Sequence, residues 1–391
     1  MDKADVLATK GLTGQAKLGL AIIGLGRAGN FHLTSCASLS DSVMLRWVVD
    51  ANKELADSVA ERVRCRATTV VDDVLKDPQV EAVIIASTTN THYGFCKAAL
   101  QAGKHVFTEK PVSHNPHELK EVLDLALASG VAFIVGYQRR VDPNFRKLKE
   151  QVREGGPVGS LRVIKCCSRD NPLPPMDYLR TSGGIFCDML CHDFDMIHFL
   201  SGQVPVEVYT TAHCYSQEIA AMDDVDTVVT TLTYASGLIA TVDCSRTAPY
   251  GYDQRVEVFG DQGMATAQNQ TESSVEVATS VGVLSAPAQR SFPERYRYTC
   301  KQIQLRTMKA YASFGIDYGV HLWMADTVEI AELVALIRAK GTEPEDLLLR
   351  HIDTERYAAL CVHGVDATDT NSRAPVLGCA ELRQLRSSRG D

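Results

Sequence analysis

Leu18-Gly19-Leu20-Ala21-Ile22-Ile23-Gly24-Leu25-Gly26-Arg27-Ala28-Gly29 is the stretch on which the fold turns. Its first six residues form a short apolar run, and the glycines punctuate it before a helical pattern that continues to about Ser38. A strand, a glycine turn and a helix in that order are the context a dinucleotide fingerprint requires. Glycine makes the tight turn, lets a pyrophosphate approach the backbone, and lets the helix pack closely on the strand. The helix N-terminus then offers its N–H groups to the phosphates. Asp50 closes the next strand, Met44 to Val49, near the expected spacing of ~20 residues. A carboxylate there hydrogen-bonds a ribose 2′-OH and repels a 2′-phosphate, which favours NAD over NADP. The alternative is a glycine turn in an empty doubly wound domain, with Asp50 as a helix cap.

Working outward, apolar runs at Ala82 to Ala86, His105 to Phe107 and Val131 to Val135 are separated by helical segments. Strands this continuously apolar suit a parallel sheet covered on both faces. Ser87-Thr88-Thr89-Asn90-Thr91-His92 follows the fourth strand, so Thr88, Asn90 and His92 are candidates for cofactor contact at the carboxyl edge of the sheet. The same residues also read as a helix start capped by Thr89 or Asn90, and His92 stays open between the two roles. Glu109-Lys110-Pro111 lies past the fifth strand at the same edge. An acidic residue before the lysine and a rigid proline after it would hold the ammonium in one place, and the bond before Pro111 is a candidate for cis.

After about Tyr137 the grammar changes. A helical segment from Pro143 to Arg153 leads to longer, alternating strands at 161–167, 206–211, 226–234, 237–244 and 255–259, joined by glycine-containing turns. The expected architecture is therefore α/β. A Rossmann doubly wound parallel sheet occupies residues 17–138, and an α+β domain with a large, mostly antiparallel sheet occupies 139–378. Helical patterns return at 295–340 and 353–362, and the tail from Leu377 reads as disordered.

Within the run Gly183 to Asp195, Asp188 and His192 stand at i and i+4 of a predicted helix, with Asp195 three residues further on. A carboxylate orients an imidazole for general acid or base work near neutral pH. A lone buried histidine is more often a satisfied core residue, but two carboxylates on its face favour chemistry. Cys187, Cys191 and His192 lie close enough to raise zinc; no C-x-x-C knuckle or H-E-x-x-H supports it, so no metal is expected.

The chain has 391 residues, 45% hydrophobic and 23% charged, which is ordinary globular usage and length enough for two or three domains. A net charge of -8 supplies no basic footprint for nucleic acid or anionic lipid. Twelve scattered cysteines suit a reducing compartment better than a disulfide scaffold. Residues 1–17 contain no apolar signal core, and no run approaches a membrane span. A cytoplasmic protein with no membrane or nucleic-acid partner is expected.

Assembled, these residues resemble the glucose-fructose oxidoreductase and inositol dehydrogenase (Gfo/Idh/MocA) family, most closely its inositol 2-dehydrogenase-like branch, from about Leu18 to Phe292. The resemblance rests on Ile23 to Gly29, Glu109-Lys110-Pro111, Gly136-Tyr137-Gln138-Arg139-Arg140-Val141-Asp142-Pro143, Ser168-Arg169-Asp170, Gly183 to Asp195, and Tyr250-Gly251-Tyr252-Asp253. It implies an NAD-dependent dehydrogenase acting on a secondary hydroxyl of a cyclic polyol such as myo-inositol, or of a sugar. The protein would be a homodimer or homotetramer built through the C-terminal sheet. By this likeness Lys110, Asp188 and His192 surround the reacting hydroxyl: His192 takes its proton, Asp188 supports the imidazolium, and Lys110 stabilises the alkoxide. Gly24, Gly26, Arg27, Ala28, Asp50, Thr88, Asn90, His92, Glu109, Lys110 and Gln138 would contact NAD; Arg139, Arg169, Asp188, His192, Asp195 and Tyr252 would contact substrate. Two other outcomes are compatible with the fold: a cofactor-bound sensor without turnover, and a reductase of another carbonyl or imine. The stretch Tyr298 to Met324 departs from the family as extra material.

Overall fold

The structure is a computed structural model that describes residues 17–268, 277–279, 282–284 and 373–375. The helical patterns expected at 295–340 and 353–362, the extra material at 298–324 and the tail from Leu377 lie outside the described residues. The chain divides into two compact units, with the change between Val141 and Asp142.

In the first unit β1 (Leu18–Ile23), β2 (Val43–Val49), β3 (Arg66–Thr68), β4 (Ala82–Ile85), β5 (His105–Glu109) and β6 (Phe133–Gly136) alternate with α1 (Arg27–Ser38), α2 (Lys53–Val63), α3 (Val71–Leu75), α4 (Thr89–Gln101) and α5 (Pro116–Ser129). All six strands are parallel, in the order β3-β2-β1-β4-β5-β6. The apolar continuity of β1 and β4 follows from this position, because every residue of both strands is buried. Local chemistry sets the helix ends. Asn52 caps α2 by accepting from the Leu55 N–H, and Asn115 with Pro116 starts α5, which Gly130 ends at φ 66°. The strand order reverses between β1 and β4, and a crevice at the carboxyl ends of the strands around such a reversal is where this architecture binds ligands.

The second unit opens with α6 (Pro143–Gln151), whose first N–H groups are taken by Asp142, and continues through β7 (Leu161–Arg169), α7 (Met176–Leu179), a π-helical turn (Phe186–Leu190) and α8 (Cys191–Ser201). It then adds β8 (Pro205–His213), α9 (Gln217–Ala220), β9 (Thr227–Tyr234), β10 (Ile239–Ser245), β11 (Asp253–Gly260) and β12 (Met264–Gln268). The sheet order is β12-β11-β7-β10-β9-β8-β15, where β15 is Arg373–Pro375; β13 (Val277–Thr279) and β14 (Gly282–Leu284) pair only with each other. Every pairing in the larger sheet is antiparallel except β7 with β10. Alternation buries Ile164, Cys166, Val228, Leu232, Val242, Cys244, Val256 and Val258 in one core with Phe194, Ile197 and Leu200 of α8. Among the described residues no helix is long and apolar enough to cross a membrane.

Candidate active site

The glycine loop is shaped by contacts that leave no room for side chains. Gly24 has φ +94°, and a Cβ there would lie 2.5 Å from the Ser87 backbone nitrogen; a Cβ on Gly29 would lie 2.0 Å from the Gly24 carbonyl oxygen. Gly26 differs, because a Cβ there would meet nothing within 4 Å. It is exposed at the start of α1, whose first turn carries no acidic residue and whose N-cap supplies no side-chain bond. Backbone donors with no competing carboxylate suit a pyrophosphate. Asp50 is not the cap of α2. Its Oδ2 accepts from the Leu25 N–H at 2.9 Å and its Oδ1 from the Asn52 N–H at 2.9 Å, which fixes the carboxylate against the glycine loop. Arg27 is exposed and Ala28 half-buried beside it. These residues fit a dinucleotide.

The other cofactor candidates gather at the same sheet edge. Thr88 caps α4 through its backbone, in place of the expected Thr89 or Asn90, and gives no side-chain cap bond; Thr88 and Asn90 are exposed. The Thr91 hydroxyl holds the turn by donating to the Thr88 carbonyl at 2.7 Å. His92 is buried, with Nδ1 2.8 Å from the Pro111 carbonyl oxygen and Nε2 3.1 Å from that of Ser87. It therefore braces the Ser87 loop against the Lys110–Pro111 turn. The Lys110–Pro111 bond is cis. Glu109 meets His32 at 2.8 Å. Burial works against the Glu109 carboxylate, but the hydrogen bond and charge of His32, with His92 and Lys110 adding to it, hold it below the usual carboxylate range. Lys110 and Gln138 are half-buried, and Arg139 is buried in the 3-10 turn Gln138–Val141.

In the second unit the helix expected through Asp188 and His192 is not regular. Phe186–Leu190 forms a π turn, in which the Cys191 N–H reaches back to the Phe186 carbonyl, before α8 begins. Asp188, His192, Asp193 and Asp195 are all buried. Asp188 is held from two sides: the Tyr178 hydroxyl donates to Oδ1 at 2.6 Å and Arg246 Nη1 donates to Oδ2 at 2.5 Å. Arg246 is fully buried. Its Nη2 also lies 3.7 Å from Asp224 Oδ2. Burial pulls this guanidinium down, but Asp188, then Asp224 and Asp170, carry it above its ordinary range. Asp224 is itself fixed by the Ile185 and Val225 N–H groups at 3.1 and 2.9 Å. The Cys191 thiol donates to the Asp188 carbonyl, and among the described residues no group of three His, Cys, Asp or Glu could hold a metal ion.

Two expected substrate contacts fall differently. Tyr252 is half-buried just before β11. Arg169 ends β7 with its guanidinium on Asp243 and on the Tyr250 hydroxyl, on the face opposite Ser168, whose hydroxyl reaches Asp193 of α8 at 2.6 Å. The structure thus does not bring Arg169 to the helix that carries His192. Sequence reading missed His32, Tyr178, Asp224 and Arg246. All four owe their places to partners distant in the chain, and Arg246, ahead of a turn, reads as a solvated loop arginine.

Fold and site together define an NAD-binding oxidoreductase with a Rossmann unit followed by a sheet-bearing unit. Residues 18–137 match the oxidoreductase family with an NAD-binding Rossmann fold, and residues 145–266 match the Gfo/Idh/MocA C-terminal domain. The chain is 38% identical to the myo-inositol 2-dehydrogenase of Thermotoga maritima over 71% of its own length and 83% of that protein's. It is 36% identical to the inositol 2-dehydrogenase of Rhizobium meliloti over 70% and 83%. The crystal structure of a myo-inositol dehydrogenase from Corynebacterium glutamicum superposes with a TM-score of 0.71 at 28% identity, covering 89% of this chain and 96% of that one. The chain belongs to the Gfo/Idh/MocA oxidoreductase family, among its inositol dehydrogenase-like members, and its cofactor is NAD.

Proposed function

We propose that the protein oxidises a secondary hydroxyl of a cyclic polyol such as myo-inositol, or of a sugar, to the ketone. NAD, when bound, accepts the hydride with both electrons of the C–H bond. His192 takes the hydroxyl proton as the C–O bond becomes a carbonyl, and Asp188 orients the imidazole and supports its positive charge. Lys110 stabilises the negative charge that develops on the oxygen. Arg139, Asp195 and Tyr252 bind the remaining hydroxyls. The observation that carries the reading is Asp188, buried four residues before a buried His192 and fixed at both oxygens by Tyr178 and Arg246. A carboxylate so restrained has the rigidity that positioning an acid–base group demands. The reading includes a homodimer or homotetramer built through the C-terminal sheet, and a cytoplasmic location.

The test is NADH formation by the purified protein with NAD and a panel of inositols and sugars, beside His192→Asn. Turnover on a cyclic polyol that falls about 10²–10⁴-fold in the variant, with NAD affinity unchanged, is the expected result. Absence of turnover across the panel while NAD still binds overturns the substrate assignment, and full activity in His192→Asn overturns the base.

A further inference from the structure

We propose that Arg246 is a positioning residue for the oxidation: through Asp188 it sets the pH at which His192 becomes able to accept a proton. The inference rests on the reading of His192 as the base and deepens it.

The placement of Arg246 is too costly to be incidental. Its side chain is withdrawn entirely from solvent at the end of β10, where its own N–H bonds to the Asp226 carbonyl at 2.8 Å. A buried guanidinium is tolerated only where carboxylates compensate it. Here Asp188 takes the direct bond at 2.5 Å and Asp224, prealigned by two backbone N–H groups, stands on the second nitrogen. Asp188, which the proposed function sets beside His192, is therefore half of an ion pair and not a lone carboxylate.

That difference governs the imidazole. A lone carboxylate nearby stabilises imidazolium and keeps the ring protonated at higher pH; a carboxylate already matched by a cation exerts much less field. The titratable and charged groups that the elements at this end of α8 supply are Asp170 after β7, Tyr178 of α7, Asp193 and Asp195 of α8 itself, Asp224 before β9, and Asp188. Asp193 has one oxygen on the Ser168 hydroxyl. Arg246 is the buried cation that the described residues of this unit set against Asp188 and Asp224. It offsets Asp188 electrostatically while its hydrogen bond, with that of Tyr178, still fixes the carboxylate for its orienting role.

The experiment is the pH dependence of kcat/KM for polyol oxidation in the full-length protein, with circular dichroism and NAD affinity as controls for folding. Arg246→Gln should move the acid limb upward by about one pH unit, since removing a nearby cation favours imidazolium. Arg246→Lys, which keeps the charge, should leave the limb near its wild-type position. Asp188→Asn, which removes the carboxylate and leaves Arg246 only the more distant Asp224, should move it downward. The double variant Asp188→Asn/Arg246→Gln restores a neutral pair and should return the limb toward wild type, which keeps the test decisive if Arg246→Gln alone does not fold. A limb that ignores Arg246→Gln, or a double variant that stays with Asp188→Asn, overturns the role of Arg246. An acid limb that persists in the residual activity of His192→Asn overturns the base assignment instead, so the two failures are distinct.

Discussion

The imidazole of His32 lies 2.8 Å from Oε1 of Glu109, tying the helix that starts at the glycine loop to the strand that ends at Glu109, just before Lys110. His32 is fully buried and meets Phe107 edge-on at 5.0 Å between ring centroids. The cofactor-binding turn and the Glu109-Lys110-Pro111 turn are thus held in one frame by a hydrogen bond that neither turn contains alone.

Glu109 makes this frame sensitive to acid. His32 holds its carboxyl below the usual range despite burial. The ordinary unfolded value is about 4.3. A group lowered on folding contributes its full stability above the unfolded value and loses it as pH falls through the lowered one. Wild type should exceed Glu109→Gln in stability by about 1–3 kcal/mol at neutral pH. That difference should shrink as pH falls below about 4. Urea unfolding at a series of pH values measures it, and a gap that stays constant to strong acid would contradict the pairing.

The glycine loop separates stability from cofactor binding. Gly24→Ala forces a side chain into a left-handed backbone and against the Ser87 backbone. It should cost about 1–3 kcal/mol or more. Gly26→Ala meets only open space, so stability should stay within about 0.5 kcal/mol of wild type. Its methyl group would occupy the approach of the pyrophosphate, and the NAD dissociation constant should rise about tenfold or more. Thermal unfolding and calorimetric titration of each variant read the two effects; equal NAD affinity in Gly26→Ala would place the phosphates elsewhere.

Asp50 is held by the Leu25 and Asn52 N–H groups, so its charge stands fixed beside the loop. Asp50→Ala removes the carboxylate expected to accept from a ribose hydroxyl and to repel a phosphate. The ratio of kcat/KM for NAD over NADP should fall about tenfold or more, worth ~1.4 kcal/mol. A ratio unchanged in Asp50→Ala would mean that another residue reads the ribose.

The pattern of legibility follows the range of the interactions. The parallel sheet was readable because β1 and β4 are buried on both faces, and their apolar runs announce that locally. The alternation of β9, with Val228, Thr230, Leu232 and Tyr234 inward, likewise identified a sheet with one covered face. The parallel pairing of β7 with β10 left no trace in either strand, since Val163 and Ile239 meet only through the tertiary fold. At the site, Gly24 and Asp50 carry their reasons within one strand–helix–strand unit. Arg246 is 58 residues from Asp188 and His32 is 77 from Glu109, so their roles depend on neighbours that no spacing rule reaches. The π turn was hidden for another reason: at i and i+4 a π turn and an α turn present the same residue types, and only the Cys191 to Phe186 hydrogen bond distinguishes them.

Arg169 and Arg139 put the strand argument to a direct test. Along β7, Ser168 faces α8 and Arg169 faces away, paired with Asp243 and the Tyr250 hydroxyl on the outer side of the sheet. A half-exposed ion pair of this kind contributes about 0–1 kcal/mol, and breaking it leaves the His192 side of the sheet untouched. Arg169→Ala should therefore keep KM for the polyol within about twofold of wild type. Arg139, buried in the turn that follows β6, is the arginine proposed above to bind substrate. Arg139→Ala should raise KM about tenfold or more, the loss of one charge-assisted hydrogen bond. Steady-state kinetics on the two variants decides between them, and the reverse ranking would mean that the end of β7 turns Arg169 back toward the substrate.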